Sequence, residues 1–172
     1  VLVTRLGDDP ESEQLRNALA DSGIDTRGVQ RDPVHPTGRV RITFDDGGHH
    51  FEILENRAYD FVDAVEAASI VRSIAPPLVY FGTLAQRGGH TREALDAVVA
   101  ACDAPRWLDI NLRAPFDKTD VIVRSLEAAD FLKLNDDELA IVALRLALHG
   151  SDPAHHAAEL VERSPLTRFA DL

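Results

Sequence analysis

Short apolar segments alternate with helical segments from about residue 60 onward, and this order constrains the fold more than any other feature. Three of the apolar segments have the length of buried strands, namely Leu78–Phe81, Trp107–Ile110 and Phe131–Leu134. Apolar residues recur at helical spacing over about 62–74 and 91–102, around 121–126, over 139–146, and again after Pro153. Such alternation requires right-handed crossovers and a parallel sheet that helices cover on both faces. The sequence therefore predicts an α/β fold with a doubly wound, mostly parallel sheet in three layers.

Two further signals mark helix ends. Asp8 and Asp9 stand directly before Pro10, and proline in the first turn after such residues is a helix start signal. Gly23 is expected to end this first helix. Gly150 is likewise expected to end the helix over 139–146.

The stretch from Arg39 to Ile53 has strand periodicity. Apolar residues alternate with polar ones on both sides of a predicted turn at 45–48, which indicates an antiparallel hairpin with one apolar face. Such a face usually packs on the core, and it can also cover a ligand as a lid. We divide the chain into residues 1–34 and 55–172, which have the α/β pattern, and residues 35–54, which have the hairpin pattern.

Composition excludes several classes of protein. The 18 Lys and Arg against 29 Asp and Glu give a net charge of −11, which argues against a nucleic-acid binder. The one cysteine, Cys102, excludes an internal disulfide and a cysteine-based zinc cluster. The single cysteine fits a reducing setting, so we expect a cytoplasmic protein. No apolar run approaches the roughly 20 residues of a membrane span, so we expect no membrane contact. The sequence contains no methionine, and we expect it to be a piece of a longer polypeptide.

Polar residues follow each of the three predicted strands. Open parallel sheets bind ligands outside the carboxyl ends of their strands, so these residues are the candidate site. Gly82 would let a ligand approach the backbone closely, and the planar guanidinium of Arg113 suits a hydroxylated or anionic group. The full set of polar candidates is Gly82, Thr83, Asp109, Asn111, Arg113, Lys133, Asn135 and Glu138.

Each of these residues also has a purely structural interpretation. Asn135 with Glu138 three residues later has the spacing of a capping box at a helix start. Asp109 and Arg113 could form an ion pair, and Thr83 could begin a turn. Neither the dinucleotide-binding glycine fingerprint nor the phosphate-binding Walker loop occurs in the sequence.

Taken in order, these segments resemble the middle of a ribokinase-like (PfkB-type) carbohydrate kinase. The resemblance covers about residues 1–150, and the sequence near Asp109–Arg113 is similar to that of fructokinases and 2-keto-3-deoxygluconate kinases. The matching stretches are Arg5–Pro10, Ser22–Thr26, Pro36–Gly38, Tyr80–Leu84, Asp109–Arg113 and Lys133–Glu138. The resemblance implies that residues 1–34 and 55–172 are an incomplete α/β core and that residues 35–54 are a hairpin lid.

The resemblance implies a sugar site. Gly82 and Thr83 would border the sugar, while Asn111 and Arg113 would bind it, with Arg113 reaching its hydroxyls or carboxylate. The hairpin would close over the sugar, and such lids also form homodimer contacts. Its inward face would comprise Val40, Ile42 and Phe51.

The resemblance also implies a nucleotide site, with ATP and Mg²⁺ as cofactors. Asn135 and Glu138 match the family's Asn-x-x-Glu motif, which organises magnesium and the nucleotide phosphates. Glu138 would act on the metal through water, and Lys133 would lie beside the nucleotide.

Two parts of the family pattern are missing. Such kinases carry a late Gly-x-Gly-Asp loop with the catalytic base, and no glycine follows Gly150 here, so no catalytic residue is assigned. The family's amino-terminal sugar-binding residues are missing too, Arg57 stands where similar chains often have glycine, and the tail from Ser164 to Leu172 matches nothing.

We therefore expect the parent protein to be an ATP-dependent kinase of a ketose or keto-acid sugar, and this chain alone to be inactive. One alternative is a non-catalytic module that binds a sugar or nucleoside. Another is a different doubly wound transferase that uses a nucleotide.

Overall fold

The structure is a computed structural model that describes residues 1–45, 48–150, 152–166 and 168–171. It has the predicted α/β fold, with mostly parallel strands and one antiparallel hairpin. The chain forms two compact units. The first comprises Val1–Ile74 and Gly88–Ala101, and the second comprises Ala75–Arg87 and Cys102–Leu172. These two units differ in their residue ranges from the core and lid inferred from the sequence, and that core and lid remain a prediction.

The first unit begins with two parallel strands that a helix connects. Its elements are β1 (Thr4–Gly7), α1 (Pro10–Asp21), β2 (Val29–Asp32), β3 (Val40–Asp45), β4 (Gly48–Ile53), α2 (Ala64–Ile74) and α3 (Gly89–Ala100). Strands β1 and β2 pair in parallel, while β3 and β4 pair antiparallel with Ile42 opposite Phe51. The predicted hairpin is confirmed. Its turn residues Asp46 and Gly47 lie outside the described residues.

Helix α1 begins as predicted. The Asp9 side chain accepts a hydrogen bond from the Ser12 backbone N–H at 3.0 Å, and Pro10 occupies the first turn, where its missing N–H has no cost. The helix ends just before Gly23, whose φ of 75° lies in the left-handed region that glycine adopts readily.

The second unit contains a parallel four-stranded sheet. Its elements are β5 (Val79–Gly82), β6 (Arg106–Asp109), α4 (Thr119–Ala128), β7 (Phe131–Leu134), α5 (Asp136–Leu146), α6 (Pro153–Arg163) and β8 (Arg168–Asp171), and the strand order is β5-β6-β7-β8. Phe81, Leu108 and Leu132 lie opposite one another in register and are all buried. Because side chains alternate along a strand, these residues form one apolar face of the sheet.

The structure corrects one predicted helix end. Helix α5 ends at Leu146 and not at Gly150, because Ala147 already takes the left-handed conformation with φ 50°. The N–H of Ala147 bonds to carbonyls of the last helical turn, and this closes the helix. Within the described residues, no helix is both long enough and apolar enough to cross a membrane.

Candidate functional site

The register of the second unit's sheet aligns the carboxyl ends of its strands. Gly82 at the end of β5 lies opposite Asp109 of β6, and Asp109 lies opposite Lys133 of β7. Three of the predicted positions therefore form one row across the sheet. The polar residues that follow these strands leave from a common edge, which is where ligands of open parallel sheets bind. We call this row and the residues after it the polar edge.

Gly82 makes room at the polar edge. A Cβ atom added there would lie 3.1 Å from the backbone oxygen of Asp109, which is tighter than ordinary van der Waals contact. Thr83 follows and is buried, with its hydroxyl donating to the Ile110 carbonyl at 2.6 Å. Its own carbonyl accepts the Gln86 N–H at 2.9 Å, so Thr83 also begins a turn, as the structural interpretation has it.

Asp109 is the electrostatic centre of the row. The Lys133 ammonium lies 3.0 Å from one Asp109 carboxylate oxygen, and the Tyr80 hydroxyl donates to the other. The hydrogen bond to Asp109 raises the pKa of Tyr80 to about 12, although the residue is 62% exposed. Asp109 thus has Lys133 as its cationic partner, and not the Arg113 considered from sequence.

The segment after β6 turns sharply. Asn111 has a φ of 41°, in the left-handed region that asparagine tolerates better than most residues. Leu112 is buried, while Asn111 and Arg113 on either side of it are exposed. One guanidinium N–H of Arg113 donates to the Leu112 carbonyl at 2.9 Å. The turn therefore presents an amide and a guanidinium to solvent above a buried leucine.

Asn135 and Glu138 form the capping box that their spacing predicts. The Asn135 side chain accepts the Glu138 N–H at 2.9 Å, and Glu138 Oε2 accepts the Asn135 N–H at 3.1 Å. The other carboxylate oxygen, Oε1, accepts the buried N–H of Leu112 at 3.0 Å. Sequence reasoning missed this last bond, since no spacing rule links positions 26 residues apart.

The structure thus places seven of the ten predicted site residues in the second unit, in or directly after its strands. They are Gly82, Thr83, Asn111, Arg113, Lys133, Asn135 and Glu138. The other three, Val40, Ile42 and Phe51, share one face of the hairpin and are exposed. The hairpin belongs to the first unit, and its position over the polar edge stays a prediction.

Hydrogen bonds connect the base of the hairpin to the start of α1, through residues whose roles were not predicted from the sequence. The Asp9 carboxylate accepts both the N–H and the hydroxyl of Thr37 at 2.7 Å, and the Gly7 N–H donates to the same hydroxyl at 3.0 Å. The Thr37 hydrogen bonds, together with that from Ser12, lower the pKa of Asp9. Two of the stretches that match the kinase family, Arg5–Pro10 and Pro36–Gly38, are therefore joined by these hydrogen bonds.

The first unit also contains a cavity of about 410 Å³ that includes none of the predicted site residues. The residues lining it include Arg5, Asp32, His35, Phe61 and His90. Burial alone would raise the pKa of Asp32, but N–H donors of the next residues and the Arg5 guanidinium outweigh it and lower the pKa. Among the residues described, no group of three or more His, Cys, Asp or Glu could hold a metal ion.

Comparison with known proteins gives consistent matches. The model of a family described as pfkB family carbohydrate kinase matches residues 1–163. An uncharacterized sugar kinase from Pyrococcus horikoshii is 26% identical over 153 residues, which cover 80% of this chain and 47% of that protein. Its crystal structure, also solved in complex with ATP, superposes with a TM-score of 0.74 and covers 84% of this chain at 24% identity.

Two fructokinase structures share the fold at lower identity. The Xylella fastidiosa enzyme with bound ATP is 18% identical with a TM-score of 0.84, over 98% of this chain and 53% of that one. The Vibrio cholerae O395 enzyme, bound to fructose, ADP and a calcium ion, is 19% identical with a TM-score of 0.70, over 92% of this chain and 53% of that one. The chain spans about half the length of the relatives that it matches.

Proposed function

The chain belongs to the pfkB family of carbohydrate kinases, and on this premise we propose that it is part of an ATP-dependent sugar kinase. The reaction is transfer of the γ-phosphoryl group of ATP to a hydroxyl of a ketose or keto-acid sugar such as fructose. The observation that carries the proposal is the polar edge, where Gly82, Asp109 and Lys133 lie in one row beside the Arg113 turn and the Asn135–Glu138 capping box.

The sugar is proposed to bind at the β5 and β6 end of the polar edge. Gly82 and Thr83 border it, and Asn111 and Arg113 supply exposed hydrogen-bonding groups. A guanidinium has several N–H donors in a fixed plane, so it can bind two neighbouring hydroxyls or a carboxylate. The apolar hairpin face of Val40, Ile42 and Phe51 is proposed to close over the sugar and exclude water, which would otherwise accept the phosphoryl group.

The nucleotide is proposed to bind at the β7 and α5 end. Phosphate groups bind well at helix amino termini, but the first turn of α5 carries the carboxylates of Asp136, Asp137 and Glu138, so a phosphate there would need a magnesium ion to offset their charge. Lys133 points its ammonium at Asp109 in the free chain, and a phosphate would compete with Asp109 for that ammonium. Asn135 and Glu138 hold the start of α5 in shape through their two reciprocal hydrogen bonds.

The residues present fit magnesium held through water. Both Glu138 oxygens already accept a backbone N–H, at 3.0 and 3.1 Å, so direct ligation would have to disturb these bonds. Each oxygen keeps a second lone pair, which can accept a hydrogen bond from a water on the metal, and Mg²⁺ usually keeps several waters. When bound, the ion would offset the negative charge of the phosphate groups.

A sugar kinase of this kind works mainly by positioning and by electrostatic stabilisation of the phosphoryl group. The described edge supplies positioning groups but no assigned general base, and no glycine follows Gly150 to form a Gly-x-Gly-Asp loop. A general base typically accounts for about 100- to 10,000-fold in rate. We therefore propose that this chain by itself does not turn over, and a coupled assay in which it releases ADP in a sugar-dependent way would refute that.

We further propose a cytoplasmic protein that forms a homodimer through the hairpin. The apolar face of the hairpin supports the dimer, since Val40, Ile42, Phe44 and Phe51 are each about half exposed or more. An exposed apolar surface of this kind gains free energy when a second copy covers it.

The proposed function is tested by binding. Thermal melts of the chain with increasing D-fructose, in the presence of Mg²⁺ and a non-hydrolysable ATP analogue, should show saturable stabilisation. Arg113→Gln should weaken the apparent affinity for fructose about 10- to 100-fold, the ordinary range for a lost hydrogen bond to a charged group.

Arg145→Gln is the matched control. Arg145 lies in the last turn of α5, two turns beyond Glu138, and it pairs with Asp117 at 3.1 Å. This variant should keep the wild-type response to fructose. Equal responses from the Arg113 and Arg145 variants would refute the assignment of Arg113, and no fructose response in the wild type would refute the sugar site.

A non-catalytic binding module is the second candidate. It would use the same polar edge and hairpin to bind a sugar or nucleoside, without transferring a phosphoryl group. Two results together would favour the module. Fructose would bind independently of the ATP analogue, and the longer protein would have no Gly-x-Gly-Asp segment after this chain.

A further inference from the structure

The segment that leaves β6 is held from both neighbouring strand exits. The Thr83 hydroxyl, after β5, donates to the Ile110 carbonyl at 2.6 Å. The Glu138 carboxylate, in the first turn of α5, accepts the Leu112 N–H at 3.0 Å. Side chains from two other elements thus bind backbone groups of one short turn, and these bonds lie on either side of Asn111.

The backbone between these two bonds is strained. Asn111 adopts φ 41°, and a residue other than glycine in the left-handed region persists only when its surroundings hold it there. The Thr83 and Glu138 side chains hold the turn on either side of Asn111, in addition to the backbone bond from the Ile110 N–H to the Lys133 carbonyl at 3.2 Å. Without them, the chain after β6 would be free to relax toward an ordinary extended conformation, which would redirect the residue that follows, Arg113.

The two residues that bond to the turn are buried, whereas the two polar residues within the turn are exposed. Thr83 is 2% exposed and Glu138 is 8% exposed, whereas Asn111 and Arg113 face solvent. Hydrogen bonds in a buried setting are costly to leave unmade, because the carbonyl or N–H that loses its partner finds no water. The buried pair therefore restrains the exposed pair strongly.

We propose that Thr83 and Glu138 are positioning residues that fix the 110–113 turn, and with it the Arg113 guanidinium, before any ligand binds. This role comes in addition to the contacts proposed above. It rests on the proposed function only for the identity of the ligand that Arg113 meets. A turn fixed in advance reduces the conformational cost of binding, so the two residues act on affinity through Arg113.

The test is amide hydrogen exchange in the free chain, followed by NMR at Leu112. Glu138→Gln leaves one acceptor oxygen where two N–H groups need one each, so it should speed exchange at Leu112 about 10-fold or more. Thr83→Val removes the hydroxyl at nearly constant volume and should speed exchange in the 110–113 turn about 2- to 10-fold. Thr83→Ser keeps the hydroxyl and should restore the wild-type rate.

Asp130→Asn is the matched control. Asp130 also accepts a backbone N–H of β6, that of Arg106 at 2.8 Å, but at the amino end of the strand. This variant should speed exchange at Arg106 and leave Leu112 unchanged. A wild-type rate at Leu112 in Glu138→Gln, or equal rates in Thr83→Val and Thr83→Ser, would overturn the proposal. If Glu138→Gln does not fold, the two Thr83 variants decide.

Sugar binding is a separate measurement. If the proposed function holds, Thr83→Val should weaken the apparent D-fructose affinity and Thr83→Ser should restore it. If the wild type does not bind fructose, the proposed function fails, while the exchange rates at Leu112 still decide the positioning role.

Discussion

Gly38 shows how a single residue at the base of the hairpin is constrained. A Cβ atom added to Gly38 would lie 1.9 Å from the ring of Tyr59, so the ring occupies the space of a side chain. The Tyr59 hydroxyl donates to the carbonyl of Leu54, which follows β4. Tyr59 thus contacts both ends of the hairpin, and its packing requires a glycine at position 38.

We predict that Gly38→Ala lowers the free energy of unfolding by about 1–3 kcal/mol, the usual cost of an overpacked site. Urea denaturation measures the change. The control is Gly89→Ala, at the first position of α3, where an added Cβ would meet nothing within 4 Å. It should leave stability unchanged or raise it by up to about 1 kcal/mol. Equal effects of the two substitutions would contradict the packing argument.

We expect Asp9 to contribute to the free energy of unfolding in a pH-dependent way. Its hydrogen bonds from Thr37 and Ser12 lower its folded pKa below the ordinary value of 3.8. A lowered folded pKa means that the stabilisation is complete above about pH 4 and is lost as the pH falls through the folded value. Asp9→Asn removes the charge while it keeps the size of the side chain.

We therefore predict that Asp9→Asn destabilises the chain at pH 6 and that this difference shrinks at pH 3. Urea denaturation at the two pH values measures it. Asp21→Asn, at the exposed end of α1, should show a small difference at both values. A constant penalty for Asp9→Asn from pH 6 to pH 3 would contradict the electrostatic origin.

At the scale of elements, the hairpin pairs its two strands in a regular register, yet its apolar side chains are exposed. Ile42 lies opposite Phe51, Phe44 lies opposite His49, and all four side chains are exposed. Substitutions of exposed side chains usually change stability by no more than about 0.5 kcal/mol. An apolar hairpin face can therefore be changed without unfolding the chain, which makes its proposed role in assembly testable.

We predict that Phe51→Ser leaves the urea midpoint nearly unchanged and shifts the chain from dimer to monomer in sedimentation. Thr43→Ser, on the opposite face of the hairpin, is the control and should keep the wild-type distribution. A monomeric wild type, or a Phe51→Ser variant that sediments as a dimer, would refute the hairpin as the dimer contact.

The sequence predicted the elements whose own residues carry the signal. Strand β7 has the predicted bounds because Phe131–Leu134 is a continuous apolar run next to turn residues. Strand β2 was missed because Val29–Asp32 has one apolar residue. Its Gln30 and Asp32 are buried, with Gln30 bonded to the Asp63 carbonyl and Asp32 paired with Arg5. Strand β8 was missed because its parallel pairing with β7 leaves no local periodicity to read.

The candidate site was predictable to the same degree. The polar edge followed from the rule on parallel strand ends, and the capping box followed from the spacing of Asn135 and Glu138. The bonds from Thr83 and Glu138 to the 110–113 turn could not be predicted, since they join segments that only the folded sheet brings together. The cavity lined by Arg5 and His35 had no sequence signal either.

At the scale of the whole molecule, the chain covers about half the length of its relatives and forms two compact units. We propose that ligands bind at the polar edge of the second unit. The cavity of about 410 Å³ in the first unit is lined by other residues. The residues of the polar edge and those that line the cavity do not overlap, so a residue-resolved binding measurement can distinguish the two.

The deciding measurement is a two-dimensional amide NMR titration of the chain with D-fructose and with a magnesium complex of a non-hydrolysable ATP analogue. We expect saturable shifts at Gly82, Thr83 and residues 111–113 with the sugar, and at residues 133–138 with the nucleotide. Shifts confined to Arg5, His35 and His90 around the cavity, or no saturable shifts at all, would contradict the proposal.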